Sequence, residues 1–365
     1  MTRLELATLA VLVAGCSASA ADRLPKPDRI PADPTPEQAA LVREGVALHD
    51  QRNYEGAIAK YQQVLAENPW EVHALYELAY SYFANGDYQA SLDTARLGAQ
   101  CKSGSLPGFY AMIGNALDEL GKGEEAIETY QAAIKLDPRM GKLHYNLAVS
   151  LRRAGRQAEA KEAAQSALRW DPNHSSSHLL LASIYRHLGY RVPAILAYSR
   201  FLILEPQSSR ATDAIPTLRD LLTKGVGKGK GPKDVTITIS ETPKNRKDEG
   251  DFTTVELMMS MAVVADLSPG PEKAKEEPKS EMQKLVSIYN SIGEGLELMK
   301  PGRGFAPSYY APYFAALTKA GHTEAFIACT WKKGNIEGAA EWAEANLAKI
   351  EAFLAWSKDY QWPSK

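Results

Sequence analysis

The sequence predicts an all-α fold: a right-handed solenoid of five helix-turn-helix units with an end helix, followed by an irregular helical C-terminal domain. The first observation is a proline period. Pro138, Pro172 and Pro206 lie 34 residues apart, and Pro69 lies two such periods plus one residue before Pro138. A period of 34 is the length of one helix-turn-helix repeat. The second observation is that the same position of each unit holds a small residue, which allows two helices to cross closely. These residues are Gly45, Ala79, Gly114, Ala148 and Ala182.

Residues 1–20 predict an export signal. Arg3 precedes an apolar run over residues 6–14 that is too short to span a bilayer. The ending Val13-Ala14-Gly15-Cys16 resembles a bacterial lipoprotein signal. The resemblance implies lipidation of Cys16 and a membrane-anchored protein facing the periplasm or the cell surface. Cleavage after Ala18-Ser19-Ala20, which would give a soluble periplasmic protein, and an unprocessed N-terminus are the alternatives.

Residues 21–37 carry five prolines. Such a segment is stiff and extended, at roughly 3.1 Å per residue. We therefore expect a tether that holds the first repeat away from a membrane. Apart from Cys16, the cysteines are Cys101 and Cys329. Export would permit a disulfide between them, and two unlinked thiols are the other reading.

The five units begin at Gln38, Val72, Pro107, Gly141 and Ser175. Each has a residue in its mid-unit turn that tolerates a positive φ. These residues are Asn53, Gly86, Gly121, Gly155 and Gly189. Five in-phase copies resemble the tetratricopeptide repeat family over residues 38–206. The resemblance implies stacked helix pairs with a concave binding groove. Glu44, which replaces an apolar residue, departs from the pattern.

Residues 209–224 predict an end helix with a polar outer face, which caps the repeats and keeps them soluble. The repeat array would then extend over residues 38–224. Residues 225–250 combine a Gly/Lys-rich linker with a short strand at Val235–Ile239. The linker fits neither a phosphate-binding loop nor a dinucleotide fingerprint. Residues 251–365 form the helical C-terminal domain. Its helices are expected to begin at the capping boxes Thr253-x-x-Glu256 and Ser280-x-x-Gln283, and the last one to run from about Asn335 to Lys358.

The resemblance places positions 2, 5, 6, 9, 12 and 13 of each first helix in the groove. Aromatic side chains there suit apolar groups, amides suit a peptide backbone, and arginines suit carboxylates. The candidate partner-binding residues are His73, Tyr76, Tyr80, Phe83, Asn115, Lys142, Tyr145, Asn146, Arg152, Arg153, Arg186 and His187. Some members of the family bind a terminal carboxylate with a set of basic residues and asparagines. This activity is not predicted here, because the positions of the basic residues hold Ala111, Ser176 and Leu180. A merely solvated basic stripe is the alternative.

No nucleophile elbow, kinase set or metal motif is present, so no catalytic, metal or cofactor residue is predicted. A net charge of −2 and a pI near 6.4 give no basic field for nucleic acid. The sequence therefore predicts a non-enzymatic exported scaffold that binds a protein or peptide partner, in an envelope assembly or secretion complex. The alternatives are an enzyme or enzyme subunit whose activity lies in residues 251–365, and a self-assembling scaffold.

Overall fold

The computed structural model describes residues 24–228, 235–238, 247–267, 277–299 and 302–363. The predicted export signal and Cys16 lie outside these residues. Contacts between Cα atoms divide the chain into two units, Met1–Pro138 and Arg139–Lys365, and each is considered by itself. None of the helices in the described ranges is long and apolar enough to cross a membrane.

The first unit contains three helix pairs, one for each of the first three predicted repeats. Each pair packs internally, and contacts between the second helix of one pair and the first helix of the next join the pairs. The helical-repeat prediction is therefore confirmed. The helices are α1 (Pro36–Asp50), α2 (Tyr54–Glu67), α3 (Val72–Asn85), α4 (Tyr88–Gly98), α5 (Leu106–Glu119) and α6 (Gly123–Leu136).

The turn between the two helices of each repeat has a residue with positive φ, as the sequence predicts, with one correction. Gly86, Gly121, Gly155 and Gly189 all have φ between 76° and 89°, a region that costs glycine little. In the first repeat the positive φ belongs to Arg52, at 62°, and not to the predicted Asn53. Asn53 instead caps α2.

The two glycines among the small residues at the helix crossings, Gly45 and Gly114, lie against tyrosine rings on the second helix of the same repeat. A Cβ atom on Gly45 would lie 2.5 Å from Cε1 of Tyr61, and one on Gly114 would lie 2.5 Å from Cε1 of Tyr130. Both rings are fully buried. Glycine is therefore required in these repeats so that the two helices can cross over a large side chain.

The proline-rich segment is docked on the first unit from Leu24 onward. The backbone amides of Asp28 and Arg29 donate to the carbonyl of Gln100, and the Lys102 amide donates to the Arg29 carbonyl. The hydroxyl of Tyr110 donates to the Pro25 carbonyl at 2.9 Å. These bonds keep residues 25–29 on the repeats. That the proline-rich segment holds the first repeat away from a membrane stays a prediction.

The second unit begins with the fourth and fifth repeats and continues into the C-terminal helices. Its repeat helices are α7 (Gly141–Arg153), α8 (Gln157–Trp170), α9 (Ser175–Leu188), α10 (Arg191–Leu204) and α11 (Ser209–Thr223). The later helices are α12 (Thr253–Leu267), α13 (Glu281–Leu298), α14 (Phe305–Tyr309), α15 (Ala311–Lys319), α16 (Thr323–Thr330), α17 (Ala339–Ala345) and α18 (Leu347–Asp359).

Helix α10 is buried on every side from Arg191 to Leu202, because the C-terminal helices cover its outer face. Ser199 shares a hydrogen bond of 2.7 Å with the hydroxyl of Tyr289 on α13. Arg200 donates to Oγ of Ser357 on α18 at 3.2 Å. The last repeat and the C-terminal helices thus share one core. The predicted boundaries after residues 224 and 250 stay a prediction, because shared packing does not show which parts fold alone.

Several local expectations change in this unit. The short strand β2 (Val235–Ile237) pairs antiparallel with β1 (Val226–Lys228), inside the segment predicted as a linker. At the start of α12, the amide of Thr253 donates to the carboxylate of Asp251, in place of the capping box predicted at Thr253. The predicted capping box at Ser280 is present.

The C-terminal end departs from the single helix that the sequence predicts. Asn335 has a φ of 47°, and two helices, α17 and α18, follow it with a break at Asn346. Leu347 and Leu354, which the apolar spacing of this segment predicts to face inward, are 63% and 47% exposed. Phe353 is fully buried instead.

Buried charges attach residues 247–256 to the fourth and fifth repeats. The carboxylate of Glu249 accepts from Nε2 of Gln165 at 2.5 Å and from the amide of Ala306 at 2.9 Å. Nζ of Lys161 lies 3.3 Å from the same carboxylate. The guanidinium of Arg191 donates to the carbonyl of Leu221, near the end of α11. Glu249 and Lys161 each have more than one polar partner, which is the condition under which a buried charge is tolerated.

Candidate functional site

In the second unit, a cavity of about 390 Å³ lies over the first helices of successive repeats, α7 and α9, and over α11. Ser209 begins α11 one full repeat period, 34 residues, after Ser175 begins α9. Helix α11 therefore stands where the first helix of a sixth repeat would stand, and it is more than an end cap. We call this cavity the α7/α9/α11 groove.

The groove is lined at matching repeat positions on α7, α9 and α11, and Tyr198 of α10 adds to this lining. Three kinds of side chain meet there: apolar groups, hydroxyls and charged groups. The lining residues are Tyr145, Val149, Arg152, Ser176, Leu179, Leu180, Ser183, Tyr198, Arg210, Asp213, Ala214 and Thr217. Apolar surface beside a few convergent polar groups is the usual make-up of a binding cleft.

The two arginines of the groove differ in their surroundings. Arg210 is held in place, because its Nη1 donates to Oγ of Ser176 at 2.9 Å and its Nε donates to Glu205 at 3.2 Å. Burial alone would raise the pKa of Glu205, but hydrogen bonds from Ser175 and Arg210 outweigh burial and lower this pKa. Arg152 is exposed, and its guanidinium has no hydrogen-bond or ion-pair partner in the part of the chain that the structure describes.

The aromatic residues of the groove are fixed by neighbours. The ring of Tyr145 meets the ring of His174 edge to face, with centroids 4.8 Å apart. Burial lowers the pKa of His174, which favours the neutral imidazole beside that ring. Burial also raises the pKa of Tyr198, and the nearby guanidinium of Arg186 partly offsets this rise.

In the first unit, the predicted aromatic residues lie on α3. The ring of Tyr80 stacks on His49 of α1 with centroids 4.7 Å apart and remains 43% exposed. Tyr76 packs edge to face on Phe109. Phe83 packs on Tyr88 of the same repeat. Tyr80 thus offers a free ring surface, whereas Tyr76 and Phe83 also serve packing within the unit.

The two predicted amides are engaged within the chain. Oδ1 of Asn115 accepts from the hydroxyl of Tyr130 at 2.7 Å, and Asn146 also has a partner in the described chain. The predicted residues Lys142, Arg153, Arg186 and His187 are exposed but do not line the cavity, and His73 is likewise exposed on α3. Of the candidates in the second unit, Tyr145 and Arg152 are the two that line it.

Several groove residues escape the sequence-based prediction. Val149, Leu179 and Ser183 stand at the family's groove positions but lack the charge or aromaticity that singles out the others. Arg210 and Asp213 escape it because residues 209–224 predict an end helix. The signal is nevertheless present, since the period of 34 extends to Ser209.

No cluster of three or more potential metal ligands occurs among the described residues. His178 is fully buried, and its Nε2 bonds to the Pro172 carbonyl at 2.9 Å. Its Nδ1 therefore accepts from the hydroxyl of Tyr310, at 2.7 Å. Cys101 and Cys329 are both free thiols and buried, and burial raises the pKa of each.

A profile of the tetratricopeptide repeat matches residues 42–105 and 111–175. No curated protein matches the chain significantly. A thermophilic TPR protein of Thermus thermophilus is 22% identical over 51% of this chain and 98% of its own, with a TM-score of 0.43. YrrB, a TPR protein with an unusual peptide-binding site, is 17% identical over 49% of this chain and 90% of its own, with a TM-score of 0.39. Pseudomonas aeruginosa PilF is 21% identical over 51% of this chain and 88% of its own, with a TM-score of 0.42.

Proposed function

We propose that this tetratricopeptide repeat protein is a non-enzymatic scaffold that binds an extended acidic segment of a partner protein in the α7/α9/α11 groove. The observation that carries the proposal is the composition of that groove. The apolar side chains of Leu179 and Leu180 line it together with Arg152, an exposed guanidinium with no acidic partner in the described ranges. A carboxylate of the partner would supply the missing counter-charge.

The groove is also prepared for binding before the partner arrives. Arg210 is already oriented by Glu205 and Ser176, so binding does not have to order this side chain. Ser183 and Thr217 offer hydroxyls that can donate to or accept from a partner backbone. A preformed surface of this kind reduces the entropy cost of association.

We further propose that the protein is exported and held on a membrane by a lipid on Cys16, where it takes part in an envelope assembly or secretion complex. The support is the sequence alone: Arg3, the short apolar run and the Val-Ala-Gly-Cys ending. A lipid anchor requires no membrane-spanning helix.

The groove is tested with a labelled, end-blocked peptide of four Glu-Ala pairs and fluorescence anisotropy. Arg152→Gln is expected to weaken binding by about tenfold, because one charge-assisted hydrogen bond is lost. The matched control is Arg156→Gln, an arginine paired with Glu159 outside the groove lining. Equal affinity of wild type and Arg152→Gln would refute the assignment of the groove.

A further inference from the structure

The first unit carries a second surface whose charge is opposite to that of the α7/α9/α11 groove. It lies on the facing first helices α1 and α3, which contact each other. We call it the α1/α3 surface and define it by His49, Asp50, Tyr76, Glu77 and Tyr80. In each repeat these residues stand at the positions that the family places in the groove.

Glu77 is the chemical centre of the α1/α3 surface. Its side chain is half-buried, and it forms no hydrogen bond or ion pair with any residue that the structure describes. Burial raises the pKa of Glu77, the nearby imidazoles of His49 and His73 partly offset this, and the carboxylate of Asp50 adds to the rise. A half-buried carboxylate beside a like charge is compensated only in part by these imidazoles, and a cation would supply the rest.

The aromatic ring of Tyr80 lies next to this carboxylate. Tyr80 follows Glu77 by three residues, so the two side chains are neighbours on one face of α3. One face of the Tyr80 ring stacks on His49, and the ring is still 43% exposed. His49 is fixed in turn by a hydrogen bond of 2.8 Å to Ser81. The tyrosine ring is therefore held ready to receive a group on its free side.

A carboxylate beside an exposed aromatic ring is the combination that recognises a guanidinium or an ammonium group. Arg43, the one arginine of α1, forms no ion pair with Glu77 in the described structure. The cations in the described part of the chain therefore leave this carboxylate available.

We infer that the α1/α3 surface binds an arginine- or lysine-bearing segment of a partner protein, with the cation between Glu77 and Asp50 and against the ring of Tyr80. The inference rests on the proposed function, because it assumes that the repeats bind partner segments. It adds that the two units select segments of opposite charge: a cationic one on the first unit and an acidic one on the second. Charge complementarity of this kind favours one partner and one register over others.

The test compares two labelled, end-blocked octapeptides, four Arg-Ala pairs and four Glu-Ala pairs, on the full chain at low salt. Glu77→Gln is expected to weaken the arginine peptide at least about fivefold and to leave the glutamate peptide unchanged. Tyr80→Ala is expected to weaken the arginine peptide as well. The matched control, Glu55→Gln, removes an exposed carboxylate from α2. Circular dichroism and urea unfolding establish that each variant is folded.

The outcomes separate the two proposals. If the glutamate peptide binds in an Arg152-dependent way while the arginine peptide does not bind, or binds Glu77→Gln as tightly as wild type, the inference fails and the proposed function stands. If neither peptide binds, the proposed function fails and this inference fails with it. A weakening of arginine-peptide binding by Glu55→Gln equal to that by Glu77→Gln would mean non-specific attraction and would overturn the assignment to the α1/α3 surface.

Discussion

Replacement of His178 by glutamine should reduce by about 2 kcal/mol the stability that the second unit loses between pH 7 and pH 5. The imidazole is fully buried and fixed between the Pro172 carbonyl and the Tyr310 hydroxyl. Burial lowers the pKa of His178 to about 3, the hydrogen bond to Pro172 opposes this, and the charge of Arg200 adds to the lowering. In the unfolded chain the same group has a pKa of about 6.5.

The direction of the effect follows from these two values. Below pH 6.5 the unfolded chain binds a proton that the folded chain refuses, so stability falls as the pH falls from 6.5 towards 3. Each pH unit within this window costs about 1.4 kcal/mol. Between pH 7 and pH 5 the loss is therefore about 2 kcal/mol. A folded pKa of about 4 instead of about 3 would leave this figure almost unchanged, because both values lie well below pH 5.

The measurement is urea unfolding followed by tryptophan fluorescence at pH 7 and pH 5. Wild type should lose about 2 kcal/mol more than His178→Gln over this interval, whatever the absolute stability of the variant. Glutamine keeps one donor and one acceptor for the two buried partners. The control His187→Gln removes an exposed imidazole from the same helix and should behave as wild type. An identical pH dependence in wild type and His178→Gln would refute the reasoning.

Two further predictions concern packing and the membrane anchor. Gly45→Ala should destabilise the first unit by about 1–3 kcal/mol in urea unfolding, because the new methyl group would overlap the buried ring of Tyr61. Gly123→Ala, where a Cβ meets open space, should not destabilise, and an equal effect of both changes would contradict the packing argument. Cys16→Ser should shift the protein from the membrane fraction to the soluble fraction. Unchanged membrane association would rule out the lipid anchor.

The repeat helices are predictable because each is specified within its own 34 residues. Prolines close the units, glycines such as Gly86 and Gly121 end the first helices, and small residues mark the crossings. Gly45 illustrates the reach of this reasoning. Its position in the repeat predicts a close crossing, and the structure shows the Tyr61 ring that requires it.

The remaining features depend on contacts between residues far apart in the sequence. No periodicity in residues 24–32 indicates that Arg29 pairs with the backbone around Gln100. The sequence predicts a local capping role for Glu256, yet this residue is buried with its carboxylate 3.8 Å from the guanidinium of Arg191. The exposure of Leu347 shows that an apolar spacing alone does not tell which face a neighbouring helix will cover.

The candidate site is predictable in part for the same reason. Tyr145 and Arg152 follow from the repeat positions, and both line the α7/α9/α11 groove. Arg210 closes the groove from α11, and its role becomes visible once the period is extended to Ser209. The sequence does not show that Oδ1 of Asn115 accepts from the hydroxyl of Tyr130, and partner binding by Asn115 stays a prediction.

The most direct test of peptide binding in the α7/α9/α11 groove is a photocrosslink from a residue that lines it. A benzoylphenylalanine at Ser183, which lines the groove, is compared with one at Glu162, which is exposed on α8 outside it. The account predicts that the Glu-Ala peptide crosslinks to position 183 and not to position 162, and that Arg152→Gln reduces the yield. Equal crosslinking at both positions, or none at position 183 under conditions where the peptide binds, would contradict it.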